Sequence, residues 1–389
     1  MTIAPVASVL AAFLVVASST SLTSSADADS WAHAAEFVSA SQVRLTRTKV
    51  TGTDAETSFS VVWCDAGEFR SEHVTALIPA PDTTKSVALL AGPYDPDRTF
   101  VAVSASCGVS SASLNRLAYV TADLEDASTV RLRRGIEGET VPSGVTTPSA
   151  FVVEWAEETG VTVQSGVDTL SGDLATAGAA IAHGLEDDSR VLVLWQFRHG
   201  SSGPEETSLE AWIDGTHRRY RRHTATTSWT SKARWHAIVF PEGSGVVVQR
   251  GGASAAAADA TLAVSVPSAF PSSSGLAAIR TTSCSGTGVN GSARERWVVD
   301  SLAADGATLR RWRVDQAARA RLQLANLAAF VIPEPPEPAS EGHHEDEGDE
   351  DGRDVVARDR FVVRLVVPDD ALFFELFFGL EAEREEVPA

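Results

Sequence analysis

"FVVEWAEETGVTVQSG" (residues 151–166) and "HAIVFPEGSGVVVQRG" (residues 236–251) decide the fold, because one repeats the other. Each runs from an apolar strand through an acidic, glycine-bearing turn into a second strand. A looser copy, "SVVWCDAGEFRSEHVTA", occupies residues 60–76. A further strand end, "RLQLANLAAFVIPEPPE" (321–337), shares an Ala-x-x-x-Ala frame and a Pro-Glu terminus with "SKARWHAIVFPEGSG" (231–245). Self-similarity at a fixed period marks a repeat architecture and outranks any local reading.

A second motif falls between the junctions: "AEFVSASQVRLTR" (35–47), "ADLEDASTVRLRR" (122–134), "AWIDGTHRRYRR" (211–222) and "DSLAADGATLRRWR" (300–313). Cys107 and Cys284 lie at matching points of "PDRTFVAVSASCGVSS" (96–111) and "GLAAIRTTSCSGTG" (275–288). The units start at Val74, Val161 and Val246, spacings of 87 and 85 residues. Their runs are short, rich in Val, Thr, Ile and aromatics, and bounded by Gly, Pro, Asp and Ser, which is strand chemistry. "VRLTR" and "VRLRR" alternate arginine with apolar residues, as a strand with one wet face does. The most helix-like stretch, 314–328, aligns with a strand of the neighbouring repeat, which argues against a long helix.

The expected fold is therefore all-β, with tandem antiparallel β-sandwich domains of about 85 residues. The expected division is an incomplete leading unit (1–73), repeats at 74–160, 161–245 and 246–332, a Pro-rich and acidic linker (333–354), and a C-terminal hairpin (355–389). In this frame residues 6–18, within "PVASVLAAFLVVASS" (5–19), are a central apolar strand of a leading unit whose first strands are missing. The competing reading is an export signal cut at "SADA" (25–28), which lacks the usual basic residue near Met1.

The hairpin "RFVVRLVVPDDALFFELFFGLE" (360–381) has two apolar runs around a Pro-Asp-Asp turn and resembles residues 177–197. So apolar a segment must cover something. Phe361, Val363, Leu365, Phe373, Phe374, Phe377 and Phe378 are the expected assembly residues, completing a unit in the same chain or in a neighbour.

A net charge of −20 with no basic stripe disfavours nucleic acid and anionic membranes as partners. No run of eighteen apolar residues occurs, so no membrane-inserted helix is expected. Cys64, Cys107 and Cys284 are too few for a disulfide framework. "GTGVNG" (286–291) has dinucleotide-site spacing but is followed by a strand, so it reads as a hairpin loop, and Asn290-Gly291 as a turn. "HHEDEGDED" (343–351) lacks the frame of a calcium loop. Glu154 with Glu157, and Asp187 with Asp188, read as turn chemistry rather than catalytic pairs. No cofactor, metal site or enzymatic activity is expected, and ligand-binding residues are not assigned. Trp63, Trp155, Trp235 and Phe240 are expected in the core; Trp195, Trp212, Tyr220, Trp297 and Trp312 could form a sugar-stacking face.

"VVVQRG" (246–251) and "VTVQSG" (161–166), with "DPDRTF" (95–100) and "EDDSRV" (186–191), resemble tandem β-repeat proteins marked by a Val-Gln-Arg-Gly strand start. Such repeats belong to large bacterial surface and phage-associated proteins. The resemblance spans residues 6–332 and implies a structural or binding array without catalytic residues. The expected function is a self-assembling structural subunit of a virion, phage-like particle, fibre or surface appendage. Its expected partners are copies of itself or other structural subunits, in a particle made in the cytoplasm. The alternative is a carbohydrate- or surface-binding adhesin module, secreted if residues 1–28 are a signal, with a glycan as partner.

Overall fold

The computed structural model describes residues 2–3, 5–6, 8–21, 32–48, 55–64, 67–108, 112–136, 141, 143–170, 188–200, 209–215, 217–221, 230–256, 259–273, 275–284, 297–311, 317–333 and 362–366. The fold is all-β. The leading unit holds β1 (Ala12–Ser21), β2 (Ala34–Ser39), β3 (Gln42–Thr46) and β4 (Ala55–Trp63). The second holds β5 (Phe69–Thr75), β6 (Thr84–Ala88), β7 (Thr99–Cys107), β8 (Val120–Asp126), β9 (Thr129–Arg134) and β10 (Thr146–Trp155). The third holds β11 (Thr162–Leu170), β12 (Val191–His199), β13 (Glu210–Asp214), β14 (His217–Arg221) and β15 (Ser231–Val239). The fourth holds β16 (Val248–Ala255), β17 (Thr261–Ser265), β18 (Leu276–Cys284), β19 (Val298–Ala303), β20 (Gly306–Arg310) and β21 (Ala318–Asn326), and β22 (Val362–Val366) follows.

Every unit pairs a large sheet with a small one. The large sheets are β22-β4-β1, β5-β10-β7, β11-β15-β12 and β16-β21-β18, all antiparallel. The small sheets are β2-β3, β6-β9-β8, β13-β14 and β17-β20-β19. The period-2 pattern explains the faces. In β9 ("TVRLRR") Val130 and Leu132 are buried while Arg131 and Arg133 are half-buried. The second and fourth units each have a core of their own between the two sheets, around Val74, Val130, Leu132 and Val152, and around Leu262, Trp297, Leu309 and Leu322.

A shared core joins all four units. Phe13, Phe69, Phe100, Trp155, Phe240 and Phe330 form a chain of ring contacts with centroid distances from 5.2 to 6.1 Å. Such edge-on aromatic packing adds to plain area burial. Trp63, Trp155, Trp235 and Phe240 are all buried, the core role expected of them.

The repeat motifs set the unit spacing. In "DPDRTF" the Asp95 carboxylate accepts from the Asp97 amide (2.9 Å) and from Arg98 Nε (3.1 Å), which shapes the turn. The Asp97 carbonyl then accepts from Val163 of the next unit (2.6 Å), as the Ser189 carbonyl accepts from Val248 (2.6 Å). The glycine of the Val-Gln-x-Gly start is required by close approach. A Cβ on Gly166 would lie 2.4 Å from the Trp235 ring, and one on Gly251 would lie 2.0 Å from the Ser265 carbonyl.

Register refines the sequence alignment. Trp155, the last residue of β10, and Phe240, just after β15, stand at equivalent points, since their amides bond to the carbonyls of Arg98 and Arg190. Cys64 matches them through the Ala11 carbonyl, as the looser copy implies. In the fourth unit Ala277 stands opposite Ala325, which puts Leu327 in this place rather than Ile332. A short 3-10 turn, Leu327–Ala329, takes up the difference and brings Phe330 into the shared core. The second unit's first strand starts at Phe69, ahead of Val74. Residues 318–326 form strand β21. Cys107 and Cys284 both end nine-residue strands, β7 and β18, at matching register.

Candidate functional site

The apolar stretch near the amino terminus is strand β1, whose Phe13 and Leu14 enter the shared core. It lies on one side of β4, with Ala12 opposite Trp63. The other side of β4 is covered by β22: Val362 pairs with Trp63, Val363 with Val62, Leu365 with Ser60 and Val366 with Phe59. That place belongs to β5, β11 and β16 in the other units. The leading unit therefore takes its first strand from the far end of the chain. Although the hairpin resembles residues 177–197, its strand β22 stands at the place of β11 (Thr162–Leu170).

β4 needs this partner. Eight of its nine residues are buried and it is the middle strand of its sheet, so an uncovered edge would leave backbone groups unpaired against the core. Of the expected assembly residues, Val363 and Leu365 lie in β22; Phe361, Phe373, Phe374, Phe377 and Phe378 lie outside the described residues. β22 also packs against β18 and the Leu327–Ala329 turn of the fourth unit, so it sits where the ring closes.

One backbone position recurs in each unit as the place where side chains of a neighbouring unit take hold. The Ala35 amide donates to Ser104 Oγ (3.0 Å), and its carbonyl accepts from Ser149 Oγ (2.6 Å). The Ala122 amide donates to Gln196 Oε1 (2.7 Å), and its carbonyl lies 3.3 Å from His236 Nε2. Ala211 exchanges both bonds with Thr281 Oγ1 (2.8 and 2.9 Å). The Val299 amide donates to Ser58 Oγ (3.2 Å), which returns the fourth unit to the leading one. Ala35, Ala122 and Ala211 head the small-sheet motif, and Val299 immediately precedes its fourth copy. Each stands opposite an apolar residue of the next strand: Leu45, Leu132, Tyr220 and Leu309. Sequence reasoning missed the grips; the available signal was a polar residue, Ser104, Gln196 or Thr281, recurring at the sixth position of the nine-residue strands β7, β12 and β18.

Charge reinforces the same contacts. Arg234 reaches Asp123 of the second unit (3.7 Å), Arg321 reaches Glu210 of the third (3.4 Å), and Arg310 pairs with Glu56 of the leading unit. His236 is wholly buried, and desolvation, with Arg234 nearby, lowers its pKa to about 3. It is therefore a neutral hydrogen-bonding group. Burial pushes the Cys64 thiol up to about 12, which makes it a packing residue rather than a nucleophile.

Among the described residues the alternative of an aromatic face is not assembled, and core packing is what two of its members show. Tyr220 and Trp297 are fully buried, and Tyr220 donates to Asp168 (2.6 Å). Trp195 is half-buried against Tyr220. Trp212 lines a cleft of about 160 Å³ between the third and fourth units with Arg250, Gly252, Thr281 and Arg321. Arg321 covers the Trp212 ring at 4.5 Å. Trp312, the 286–291 and 343–351 segments and Asp187 lie outside the described residues. Glu154 accepts from Arg70 (2.5 Å) and the Asp95 amide (2.7 Å), a turn-holding role, and Asp188 pairs with Arg250 (3.3 Å). Among the described residues no group of three His, Cys, Asp or Glu could hold a metal ion, and no helix is long and apolar enough to cross a membrane.

No protein-family model and no curated protein matches the chain.

Proposed function

We propose that the chain is a non-catalytic, self-assembling structural subunit of a virion, phage-like particle, fibre or surface appendage, fastened to its neighbours by exchange of the C-terminal strand. The observation that carries this reading is β22 on the open side of β4. Residues 334–361 tether that strand to the end of the fourth unit. Extended, these residues reach about 90 Å, yet β22 packs back against the Leu327–Ala329 turn from which the tether leaves. A tether much longer than its span holds its strand at only modest effective concentration. A neighbour's strand, at high local concentration, offers the same pairing and competes. Reciprocal exchange makes closed oligomers, and one-way donation makes rings or fibres.

This reading places the protein in an assembled particle made in the cytoplasm. Cleavage near Asp27 would remove β1, so an intact amino terminus on the native protein supports it and a start near Asp27 favours export. The direct experiment mixes two fluorescently labelled populations of the full chain at rising concentration. Energy transfer and growing sedimentation coefficients are expected, both lost in residues 1–333. A full chain that stays monomeric at every concentration overturns the proposal.

The second reading, a surface-binding module, is favoured by the Trp212 cleft. Retention on a glycan array, lost in Trp212→Ala, would support it.

A further inference from the structure

The contacts between units are built alike, and at one of them a tryptophan stands where the others have an acid. The residue after each gripped position is Glu36, Asp123, Trp212 or Asp300. The three acids each hold an arginine of their own small sheet: Glu36 accepts from Arg44 (2.6 Å), Asp123 accepts from Arg133 (2.6 Å), and Asp300 pairs with Arg310 (2.9 Å). Asp123 also reaches across to Arg234 of the third unit (3.7 Å). Arg321 of the fourth unit is the equivalent of Arg234. Arg234 lies opposite Gln196 and Arg321 opposite Thr281, the residues that take hold of Ala122 and Ala211. In place of the carboxylate that meets Arg234, Arg321 meets the indole of Trp212.

A second replacement clears space beside it. Val167 stands opposite Arg234, whereas Gly252 stands opposite Arg321. A Cβ on Gly252 would lie 2.6 Å from Arg321 Nη1, so the arginine's position over this strand requires the glycine. Trp212 then fixes the head of the side chain. The Arg321 guanidinium lies 4.5 Å from the centre of the indole and that of Arg221 lies 5.5 Å from it. Around them opens the cleft of about 160 Å³, whose walls are apolar at Ile213, Ile279 and Leu322 and polar at Arg250 and Gln323.

The charges at this cleft leave one cation over. Arg250 pairs with Asp188 (3.3 Å) and bonds to the Asp188 and Val191 carbonyls. Glu210 is buried and gives its carboxylate to Arg221 through two hydrogen bonds (2.7 and 3.1 Å), with Arg321 at a longer 3.4 Å. Three guanidiniums thus share two carboxylates, and Arg321 Nε, although buried, has no hydrogen-bond partner among the described residues. We infer that the cleft binds one carboxylate, presented to Arg321 as Asp123 is presented to Arg234, and that its carrier is a sugar acid. A guanidinium held in place by an indole offers a carboxylate a fork of donors. The room admits a single small ring, and mixed walls suit the C–H and hydroxyl faces of a sugar. The chain's charge of −20 opposes any anion, but salt screens it beyond about 10 Å, so the surplus at Arg321 decides the contact. This inference deepens the surface-binding reading of the Trp212 cleft and rests on it.

Ligand-observed NMR on the full chain, titrated with glucuronate and with glucose, tests this. At low salt glucuronate should bind at least about tenfold more tightly than glucose, and Arg321→Gln should erase the difference. Trp212→Asp restores the acid of the other units and gives Arg321 a carboxylate from the chain itself. It should abolish glucuronate binding while keeping the parent's melting temperature, which separates a filled site from an unfolded one. Glucuronate and glucose bound equally would overturn the carboxylate inference and keep the surface-binding reading. Neither sugar bound would overturn both. Acetate displacing glucuronate at equal concentration would keep the carboxylate at Arg321 and overturn the sugar acid as its carrier.

Discussion

The second unit and the leading unit are built on one plan and completed in opposite ways. The second draws its large sheet from β5, β7 and β10, all within residues 69–155, and encloses a core of its own. The leading unit draws β1 and β4 from its first 63 residues but takes β22 from 362–366. Its buried side chains, including Ala35, Val43, Phe59 and Trp63, belong to the shared core. A contiguous unit secures its first strand by chain connectivity, so only local unfolding can lose it. A borrowed strand is lost whenever its tether lets go. Detachment of a strand is therefore expected first where the leading unit closes onto the fourth.

Removing residues 334–389 should break that comparison most strongly. Five register pairs with β4 disappear, and at about 1 kcal/mol net per hydrogen bond the loss is about 5 kcal/mol. Calorimetry should show the leading unit melting in a separate, earlier transition while the other units keep theirs. One transition at the full-chain temperature would show that β22 contributes little to closure.

The grips sharpen the comparison at single residues. Gln196 serves two buried backbone groups, accepting from Ala122 and donating to Val101 (2.5 Å). Gln196→Ala leaves both without that partner and should cost about 2–4 kcal/mol by denaturant titration. Ser58→Ala removes the acceptor of the Val299 amide at the closing contact, where Arg310 also pairs with Glu56, and should cost about 1 kcal/mol. Equal costs would mean that the closing contact is as tightly specified as the internal one.

Much of this was legible because the repeat acts through side-chain periodicity. The Val-rich runs, the Val-Gln-x-Gly starts and the Asp-Arg turns encode strand faces and spacings, and these emerge in β9, in Gly166 and in the Asp97 to Val163 bond. The paired Cys107 and Cys284 positions were legible for the same reason. The grips were not, because they are made to the backbone of Ala35, Ala122, Ala211 and Val299, whose side chains say nothing of who holds them. The aromatic face failed on a related point. Composition offers Trp195, Tyr220 and Trp297 to a ligand or to a core alike, and burial chose the core. At the last junction a five-residue slip, from Ile332 to Leu327, was hidden because Ala325, Ala329, Val331 and Pro333-Glu334 match Ala233, Ala237, Val239 and Pro241-Glu242 in the wrong frame.

The smallest effect at neutral pH concerns His236, whose equivalent in the fourth unit is Gln323. Gln323 accepts from the Val193 amide (3.2 Å) and donates to its carbonyl (3.0 Å) in the third unit, whereas His236 lies 3.3 Å from the Ala122 carbonyl, a different position of the second unit, and 2.6 Å from Ser165 Oγ. His236→Gln therefore inserts a side chain that the repeat already uses in this place, and it should change stability by less than about 1 kcal/mol at pH 7. Acid separates the two proteins. The folded pKa of His236 is depressed to about 3, whereas an unfolded histidine titrates near ~6.5. Between those values the unfolded chain binds the proton and the folded one does not, so stability falls as pH falls through that window. Denaturation midpoints followed from pH 7 to pH 4 should drop more steeply in the parent than in His236→Gln. Parallel slopes would mean that His236 takes up its proton within the fold, and that the grip between the second and third units opens more easily than its burial implies.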